Sequence, residues 1–340
     1  MTNATTTCSP PLHSDQLHVK NWAGSVPVVL TLAANSNSSP TLPPPIHVLV
    51  PRHAFLHVAL QDAIRRLHRF APPTFFGPVG LKRQEPEAGS MYKDEDDEND
   101  DGDGVEHNNN RHDASKEPKI LAMTKQQQEE ATPFPVCWFE DEDSQTALRW
   151  HLFAGVLFDL KPRNDLPWKI RLHFTAYPSS QILPLENNED DVLHQVRAVF
   201  KNSLKQAMCL HYGNSKPALN LSKESHGKIW DSLQNANYNL YKQAHTNLPK
   251  QSSTRVPVRV LVDAGPPIQK PCLGADHLTL GTVLHTAAPD QFDSDATAKE
   301  TVLEWRIAGL SNPPLDTPIQ HYWVNLAHPD HFLYIIVLTK

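Results

Sequence analysis

Histidines, cysteines and lysines are the side chains of this 340-residue chain that could carry recognisable chemistry. Among the 19 histidines, His53 and His57 have the four-residue spacing that places two metal ligands on one face of a helix. No carboxylate or third ligand accompanies this pair, so we interpret both as ordinary surface histidines and predict neither a metal site nor a cofactor. The motifs GxSxG, HExxH, GxGxxG and the phosphate-binding P-loop do not occur where they would need to sit.

The four cysteines are scattered singly, without a CxxC pair, which argues against a disulfide framework or a cysteine-rich zinc site and fits a reducing compartment. A thiolate nucleophile needs a helix N-terminus or a basic neighbour, but Cys209 lies late in a predicted helix, where the dipole disfavours an anion. We therefore interpret Cys209 as structural. A thiol-dependent ligase using Cys209 or Cys137 is the enzyme alternative, while the pattern as a whole predicts no catalytic centre.

The remaining candidate nucleophiles are two lysines on the clearest predicted helix, DVLHQVRAVFKNSLKQAMCL. At about 100° per residue, its apolar side chains gather on one face. These are Val192, Val196, Val199, Phe200, Ala207 and Leu210. Lys205 points almost directly away from that face and Lys201 shares nearly the same side. Most such lysines only solvate the outer face of a helix, so the geometry alone leaves the role of both open.

Charge and hydropathy restrict the partners. Residues 85–119 hold thirteen acids and four bases, a net charge of −9, whereas the whole chain carries −7, so the remainder is about +2. This permits approach to an anionic membrane but is no footprint of nucleic-acid binding. The N-terminus lacks a secretory pattern and no stretch approaches about 18 apolar residues. We expect a cytoplasmic protein in which residues 84–135, poor in apolar side chains, form a disordered acidic insert.

The elements that would position these side chains fall into three groups. In the first, the β-branched runs 26–33 and 46–51 predict a hairpin, 54–70 predicts one amphipathic helix, and 136–140, 147–151 and 166–174 predict strands. The last group repeats that order from 255 to 340, with strands at 255–263, near Ile268, at 302–310 and at 331–339. Helices are expected there at 279–287 and 315–328. Hairpin, helix and returning strands indicate a β-grasp, the ubiquitin-like arrangement.

The middle group is rich in Gln, Asn and Lys and carries the lysine helix, followed by a second predicted helix over 228–244. The predicted fold class is therefore α+β, with two ubiquitin-like β-grasp domains flanking a helix-rich domain. We place the first ubiquitin-like domain at 15–178, interrupted by the acidic insert, the helix-rich domain at 186–250 and the second ubiquitin-like domain at 255–340.

Several specific segments follow one another along most of the chain. The most specific are CWFEDEDSQTALRWHLFAGVLFDL (137–160) and LPWKIRLHF (166–174), supported by WAGSVPVVLTL and HVLVPRHAFL near the start. RVPVRVLV (255–262), TLGTVL (279–284) and YWVNLAHPDHFLYIIV (322–337) complete the set. Taken together and in this order, these segments resemble the autophagy protein 5 family. The resemblance implies the same three-domain arrangement that the element order predicts.

The resemblance also implies a role for one lysine. In this family a lysine of the first long central helix carries an isopeptide bond to the ubiquitin-like modifier autophagy protein 12, and FKNSLKQAM matches that segment with Lys205 at the corresponding position. It further implies a ligase-like complex with autophagy protein 16. That complex would activate the conjugating enzyme of the lipidation system, which attaches another ubiquitin-like protein to phosphatidylethanolamine at the preautophagosomal membrane.

Partner binding implies a groove for a helix of autophagy protein 16, an ordinary mode of recognition. The candidates for this groove are Trp22, Arg52, Phe55 and Trp323, although burial of the aromatic residues in the core is an open alternative for each. The alternative function is an unconjugated double β-grasp adaptor that binds protein partners without becoming modified.

Overall fold

The computed structural model describes residues 14–72, 134–185, 192–245, 255–274, 277–295 and 297–340. The predicted acidic insert, apart from residues 134 and 135, lies outside these described residues. Two five-stranded sheets and a group of helices make up the described part of the chain.

The first ubiquitin-like domain is built around one five-stranded sheet. Its elements, after an N-terminal helix α1 (Ser14–Trp22), are β1 (Ser25–Leu32), β2 (Ile46–Pro51), α2 (Leu56–Ala59), α3 (Gln61–His68), β3 (Trp138–Asp141), β4 (Thr146–Ala147), α4 (Ala154–Asp159) and β5 (Trp168–His173). The strand order is β2-β1-β5-β3-β4. Strands β1 and β2 form the predicted hairpin, and β1 runs parallel to β5. Alternate residues of β1 are buried, as its period-two pattern requires.

Two local predictions in this domain are wrong. The helix expected over 54–70 is two helices, because the backbone of Leu60 leaves helical geometry between α2 and α3. The strand expected over 147–151 ends at Ala147, and the chain then turns into the unpredicted helix α4. Trp150 is buried, as the apolar pattern suggests, but it does not lie in a strand. Its Nε1–H donates a hydrogen bond to the Leu183 carbonyl at 2.7 Å.

The helix-rich domain consists of α5 (Val192–Tyr212), α6 (Lys216–Leu219), α7 (Lys223–Gln234) and α8 (Tyr238–His245). Ser222 caps α7, because its hydroxyl accepts a hydrogen bond from the Ser225 N–H at 3.1 Å. The single helix expected over 228–244 is divided between α7 and α8, with the break at residues 235–237. The polar run Gln-Asn-Ala-Asn at this break favours turn conformations over a continuing helix.

The second ubiquitin-like domain repeats the topology of the first. Its elements are β6 (Arg255–Val262), β7 (Ile268–Leu273), α9 (Leu280–Ala287), β8 (Val302–Ile307), β9 (Leu310–Ser311), α10 (Ile319–Leu326) and β10 (Leu333–Thr339). The strand order is β7-β6-β10-β8-β9. Every predicted element of this domain is present, and β10 runs parallel to β6 in the same way that β5 runs parallel to β1. The predicted α+β fold with two ubiquitin-like domains flanking a helix-rich domain is confirmed.

Strand β10 joins two hydrophobic cores. Leu333, Ile335 and Val337 belong to the core of the second ubiquitin-like domain. Tyr334, Ile336 and Leu338 point to the opposite face and belong to a larger core that includes residues of the first ubiquitin-like domain and of α5. Successive strand residues face opposite sides of a sheet, so a continuous apolar run lets one strand serve both cores. No helix in the described ranges is both long and apolar enough to span a bilayer.

Candidate functional site

Helix α5 presents Lys205 on its outer face. The opposite face is buried through Val192, Val196, Phe200, Leu204, Ala207, Met208 and His211. Lys205 is exposed, as its position on the helical wheel predicts, and Lys201 is exposed one turn earlier. The packed face fixes the helix, while the amine stays in solvent. This orientation is what an acceptor of a covalent modifier requires, and the acceptor role itself stays a prediction.

The surroundings of Lys205 are basic. Arg197, Lys201 and Lys205 follow one another at four-residue spacing, which places them along one face of α5. Partial burial, followed by the positive charges of Arg197 and Lys205, lowers the pKa of Lys201. His226 of α7 faces the same group, since burial and then the charges of Lys201, Lys205 and Arg197 lower its pKa. The Arg197 guanidinium lies over the Trp230 ring, 5.7 Å from its centroid.

A buried polar network holds α5 on the second sheet, close to Lys205. Arg259 of β6 donates from Nη1 to the Ser203 hydroxyl at 2.7 Å and from Nη2 to the Gln206 Oε1 at 2.9 Å. Ser203 and Tyr334 both donate to Oδ2 of Asp330, at 2.6 and 2.8 Å. Burial raises the pKa of Asp330, although Arg259 and the two hydroxyls oppose that shift. Ser203 and Gln206, which flank Leu204 and Lys205, are therefore both hydrogen-bonded to Arg259 of the second ubiquitin-like domain.

A second polar junction joins the two ubiquitin-like domains directly. Arg52, at the end of β2, forms an ion pair of 2.5 Å with Asp159 of α4. Arg306 of β8 donates from Nη1 to the carbonyl oxygens of Asp159 and Lys161 at 2.8 and 2.7 Å. Burial raises the pKa of Asp159, and the charges of Arg52 and Arg306 oppose that effect. Each buried charge of this junction thus has a counter-charge or a hydrogen-bond partner, although Asp159 Oδ1 and Arg306 Nε are buried without one of their own.

The four residues predicted to bind a partner lie at domain junctions. Trp22 is 4% exposed and packs near Tyr241, with ring centroids 4.9 Å apart, and Phe55 is 2% exposed. Trp323 is partly buried, and its Nε1–H donates to the His331 carbonyl at 2.8 Å. Arg52 is engaged with Asp159. Partner contact through these residues stays a prediction, and the burial of Trp22 and Phe55 favours the alternative in which they pack within the core.

The two polar junctions could not be predicted directly from the sequence. Arg259 stands between Val258 and Val260, which shows that it faces away from the local core, but not that Ser203 or Asp330 meets it there. The alternation of apolar and polar residues in a strand indicates which face of the sheet a side chain lies on. The side chain that it meets on that face comes from a segment far along the chain. The available indication of a polar junction was a charged residue within an otherwise apolar strand.

The histidine and cysteine interpretations need correction. His53 and His57 are buried instead of lying on the surface; burial lowers the pKa of His53 to about 3 and that of His57 to about 4. Cys209 is exposed one helical turn after Lys205, so it does not pack as a structural residue. Cys137 is buried, and burial raises the pKa of its thiol well above the usual range. Within the described ranges, no group of three or more His, Cys, Asp or Glu could hold a metal ion.

Comparison with known proteins identifies the three parts of the chain separately. Models of the autophagy protein 5 family match the first ubiquitin-like domain at residues 116–174, the alpha-helical bundle region at 193–250 and the second ubiquitin-like domain at 255–337. Together these matches cover more than half of the chain.

Curated relatives carry the same name. Autophagy protein 5 of Debaryomyces hansenii is 28% identical over 241 residues, which cover 65% of this chain and 80% of that protein. Autophagy protein 5 of Oryza sativa is 37% identical over 112 residues, 33% of this chain and 28% of that protein.

A solved structure extends the likeness to the fold. The crystal structure of Kluyveromyces marxianus Atg5 has a TM-score of 0.64 and 19% sequence identity, and the match covers 96% of this chain and all of that one. The resemblance inferred from the sequence motifs is confirmed, and with it a role in autophagy. The three matched domains, the curated relatives and the shared architecture show that this chain belongs to the autophagy protein 5 family.

Proposed function

We propose that this chain is a non-catalytic scaffold that becomes conjugated through Lys205 to the ubiquitin-like modifier autophagy protein 12. The observation that carries the proposal is the exposure of Lys205 on a helix whose opposite face is buried. An acceptor amine must reach a thioester held by another protein, and a rigid support with a free amine meets that requirement.

The conjugation step needs only the amine from this chain. The neutral Lys205 Nζ attacks the thioester carbonyl at the C-terminus of the modifier. A C–N bond forms, the C–S bond breaks, and the thiol of the conjugating enzyme is released with the proton that leaves the amine. A deprotonated amine is required, because an ammonium has no lone pair. The environment that removes the proton would come from the conjugating enzyme.

The conjugate would then bind autophagy protein 16 through a helix-in-groove contact. Support comes from two adjacent helices, α1 and α10, which pack against each other and leave Val19 51% and Val324 43% exposed. Exposed aliphatic side chains on neighbouring helices suit the apolar face of a third helix. Trp22 and Trp323 belong to these same two helices and would support the groove from beneath.

The complex would act as a ligase-like activator of ubiquitin-like protein lipidation on phosphatidylethanolamine. It would work in the cytoplasm and at the preautophagosomal membrane. Its contribution would be orientation of the lipidation system's conjugating enzyme, an effect that can accelerate a reaction without a nucleophile of its own. Peripheral contact with the membrane would accompany this role.

The deciding experiment compares Lys205→Arg with Lys201→Arg, in cells that contain the matching conjugation machinery. We expect denaturing electrophoresis to show a heavier, reductant-resistant band for the wild type and for Lys201→Arg, and none for Lys205→Arg. Persistence of the band in Lys205→Arg would move the acceptor elsewhere. Its absence from the wild type would favour the unconjugated adaptor, and its sensitivity to reductant would favour a thiol-dependent ligase.

A further inference from the structure

The helix-rich domain has a charge opposite to that of the rest of the chain. Residues 192–245 contain seven Lys and Arg residues against two Asp and Glu residues, a net charge of +5, while the complete chain carries −7. Helix α5, which presents Lys205, contains no acidic residue in its 21 positions. The positive charge is therefore concentrated on the domain that carries the candidate acceptor.

Around Lys205 this charge is carried by Arg197, Lys201 and Lys205 along one face of α5, with the imidazole of His226 beside them. We call these four residues the acceptor patch. Like charges at four-residue spacing oppose helix formation, and a helix face that only needs to be solvated usually mixes both signs. Within the described part of the chain, no carboxylate forms an ion pair with Arg197, Lys201 or Lys205. Among the described residues, the charge of Arg197, Lys201 and Lys205 is thus left without a paired carboxylate.

We propose that the acceptor patch is the docking surface for a carboxylate-rich face of the conjugating enzyme that carries the modifier as a thioester. The inference rests on the proposed conjugation of Lys205 and specifies the chemistry of the partner surface. An anionic membrane carries negative charge, as the proposed carboxylate-rich face does, and could also be attracted to this patch. However, a membrane seated on this face would cover the Lys205 amine, whereas the thioester carrier must approach that amine in order to react. Electrostatic attraction centred on Lys205 would therefore favour binding of the conjugating enzyme over binding of a membrane.

The test measures initial rates of adduct formation with purified chain and the thioester-charged conjugating enzyme, as a function of chain concentration. Lys201→Glu reverses one charge of the patch and should raise KM about tenfold, with kcat changed less than about twofold. Lys201→Gln should give an intermediate KM, and Lys201→Arg should match the wild type because the charge remains. Arg163→Glu makes the same change of charge at an exposed loop residue of the first ubiquitin-like domain and should leave KM unchanged.

Salt supplies an independent readout. Raising the ionic strength from about 0.01 M to about 1 M shortens the screening length from about 30 Å to about 3 Å, so the KM of the wild type should rise towards that of Lys201→Glu. A thermal unfolding midpoint equal to that of the wild type would show that Lys201→Glu is folded.

Other outcomes would overturn the inference. If Lys201→Glu and Arg163→Glu share the wild-type KM while Lys205→Arg forms no adduct, the acceptor assignment stands and the docking surface is wrong. If Lys201→Glu loses only its binding to vesicles containing phosphatidylserine, the patch serves a membrane instead. If the wild-type chain forms no adduct with the charged enzyme, the proposed function itself fails.

Discussion

The two ubiquitin-like domains share one topology but use their sheets differently. In the first, the strand equivalent to β10 is β5, which buries Trp168, Ile170 and Leu172 but leaves Lys169 exposed and Arg171 only partly covered. In the second, β10 is buried on both faces. Its odd-numbered residues face α9 and its even-numbered residues face α5 and the first domain. The equivalent strand is therefore buried mainly on one face in the first domain and on both faces in the second.

The difference also concerns the short helix that precedes the last strand of each sheet. All six residues of α4 in the first domain are buried, because β2 and the second domain cover it. Its equivalent in the second domain, α10, buries only Ile319 and Tyr322 and leaves Val324 exposed. The first domain therefore buries α4 completely, whereas α10 of the second domain keeps one face exposed to solvent.

Truncation of Phe332, directly before β10, and of Ile335 within β10 tests the division between the two cores. Phe332→Ala removes a ring that belongs to the shared core and lies under Arg259, 3.7 Å from the guanidinium carbon. Ile335→Ala removes a side chain from the core of the second domain. We expect the unfolding free energy to fall by about 3–5 kcal/mol in the first case and about 2–5 kcal/mol in the second.

Hydrogen exchange distinguishes the two variants. Phe332→Ala should weaken the protection of amides in α5, and Ile335→Ala should weaken protection in α9. Equal loss of protection in both helices for both variants would mean that the two faces of β10 form one cooperative core.

Acid stability should depend on where imidazoles are buried. The helical corner of the first domain buries His53 and His57, whereas α9 of the second domain buries apolar side chains, and the second domain buries the imidazole of His328 elsewhere. The folded-state pKa of His57, about 4, lies below the ordinary value of 6.5. The unfolded chain therefore binds a proton before the folded chain does, and stability falls as the pH drops from 6.5 towards 4. One such group accounts for up to about 3 kcal/mol over this interval.

The measurement is the unfolding free energy as a function of pH. His57→Gln should reduce its slope between pH 6.5 and 4, since the substituted side chain does not titrate. His47→Gln, at an exposed position of β2, is the matched control and should keep the wild-type slope. A slope unchanged in His57→Gln would assign the acid sensitivity to other groups.

A glycine substitution tests the close packing of α4. A Cβ on Gly155 would lie 2.8 Å from the Cβ of Arg52 and 2.9 Å from its carbonyl oxygen, so Gly155→Ala requires the backbone to shift. We expect a loss of about 1–3 kcal/mol in denaturant unfolding. The same change at Gly227 of α7 meets nothing within 4 Å and should stabilise the chain by up to about 1 kcal/mol. A neutral Gly155→Ala would show that α4 is less tightly held than its burial indicates.

Much of this architecture is predictable from the sequence, and the errors have a common origin. The strands at 26–33, 46–51 and 255–263 and the long lysine helix are correct, because their hydrophobic periods are strong and local. The false strand at 147–151 arises because Leu148 and Trp150 are apolar at alternate positions, yet they are buried in a turning segment. His53 and His57 show the same limitation. Their spacing is visible, but their burial depends on neighbours contributed by other elements.

The sequence by itself determined the α+β class, the repeated β-grasp order, the family and the outward direction of Lys205. Only the tertiary structure decided that Arg259 and Asp330 hold the lysine helix, that Arg52 and Arg306 meet at Asp159, and that β10 serves two cores. The physical reason is that periodicity encodes which side of an element is apolar through residues a few positions apart. The partner of a buried charge is instead chosen by how distant segments pack, because each buried charge must find compensation wherever the fold brings a counter-charge or a carbonyl group.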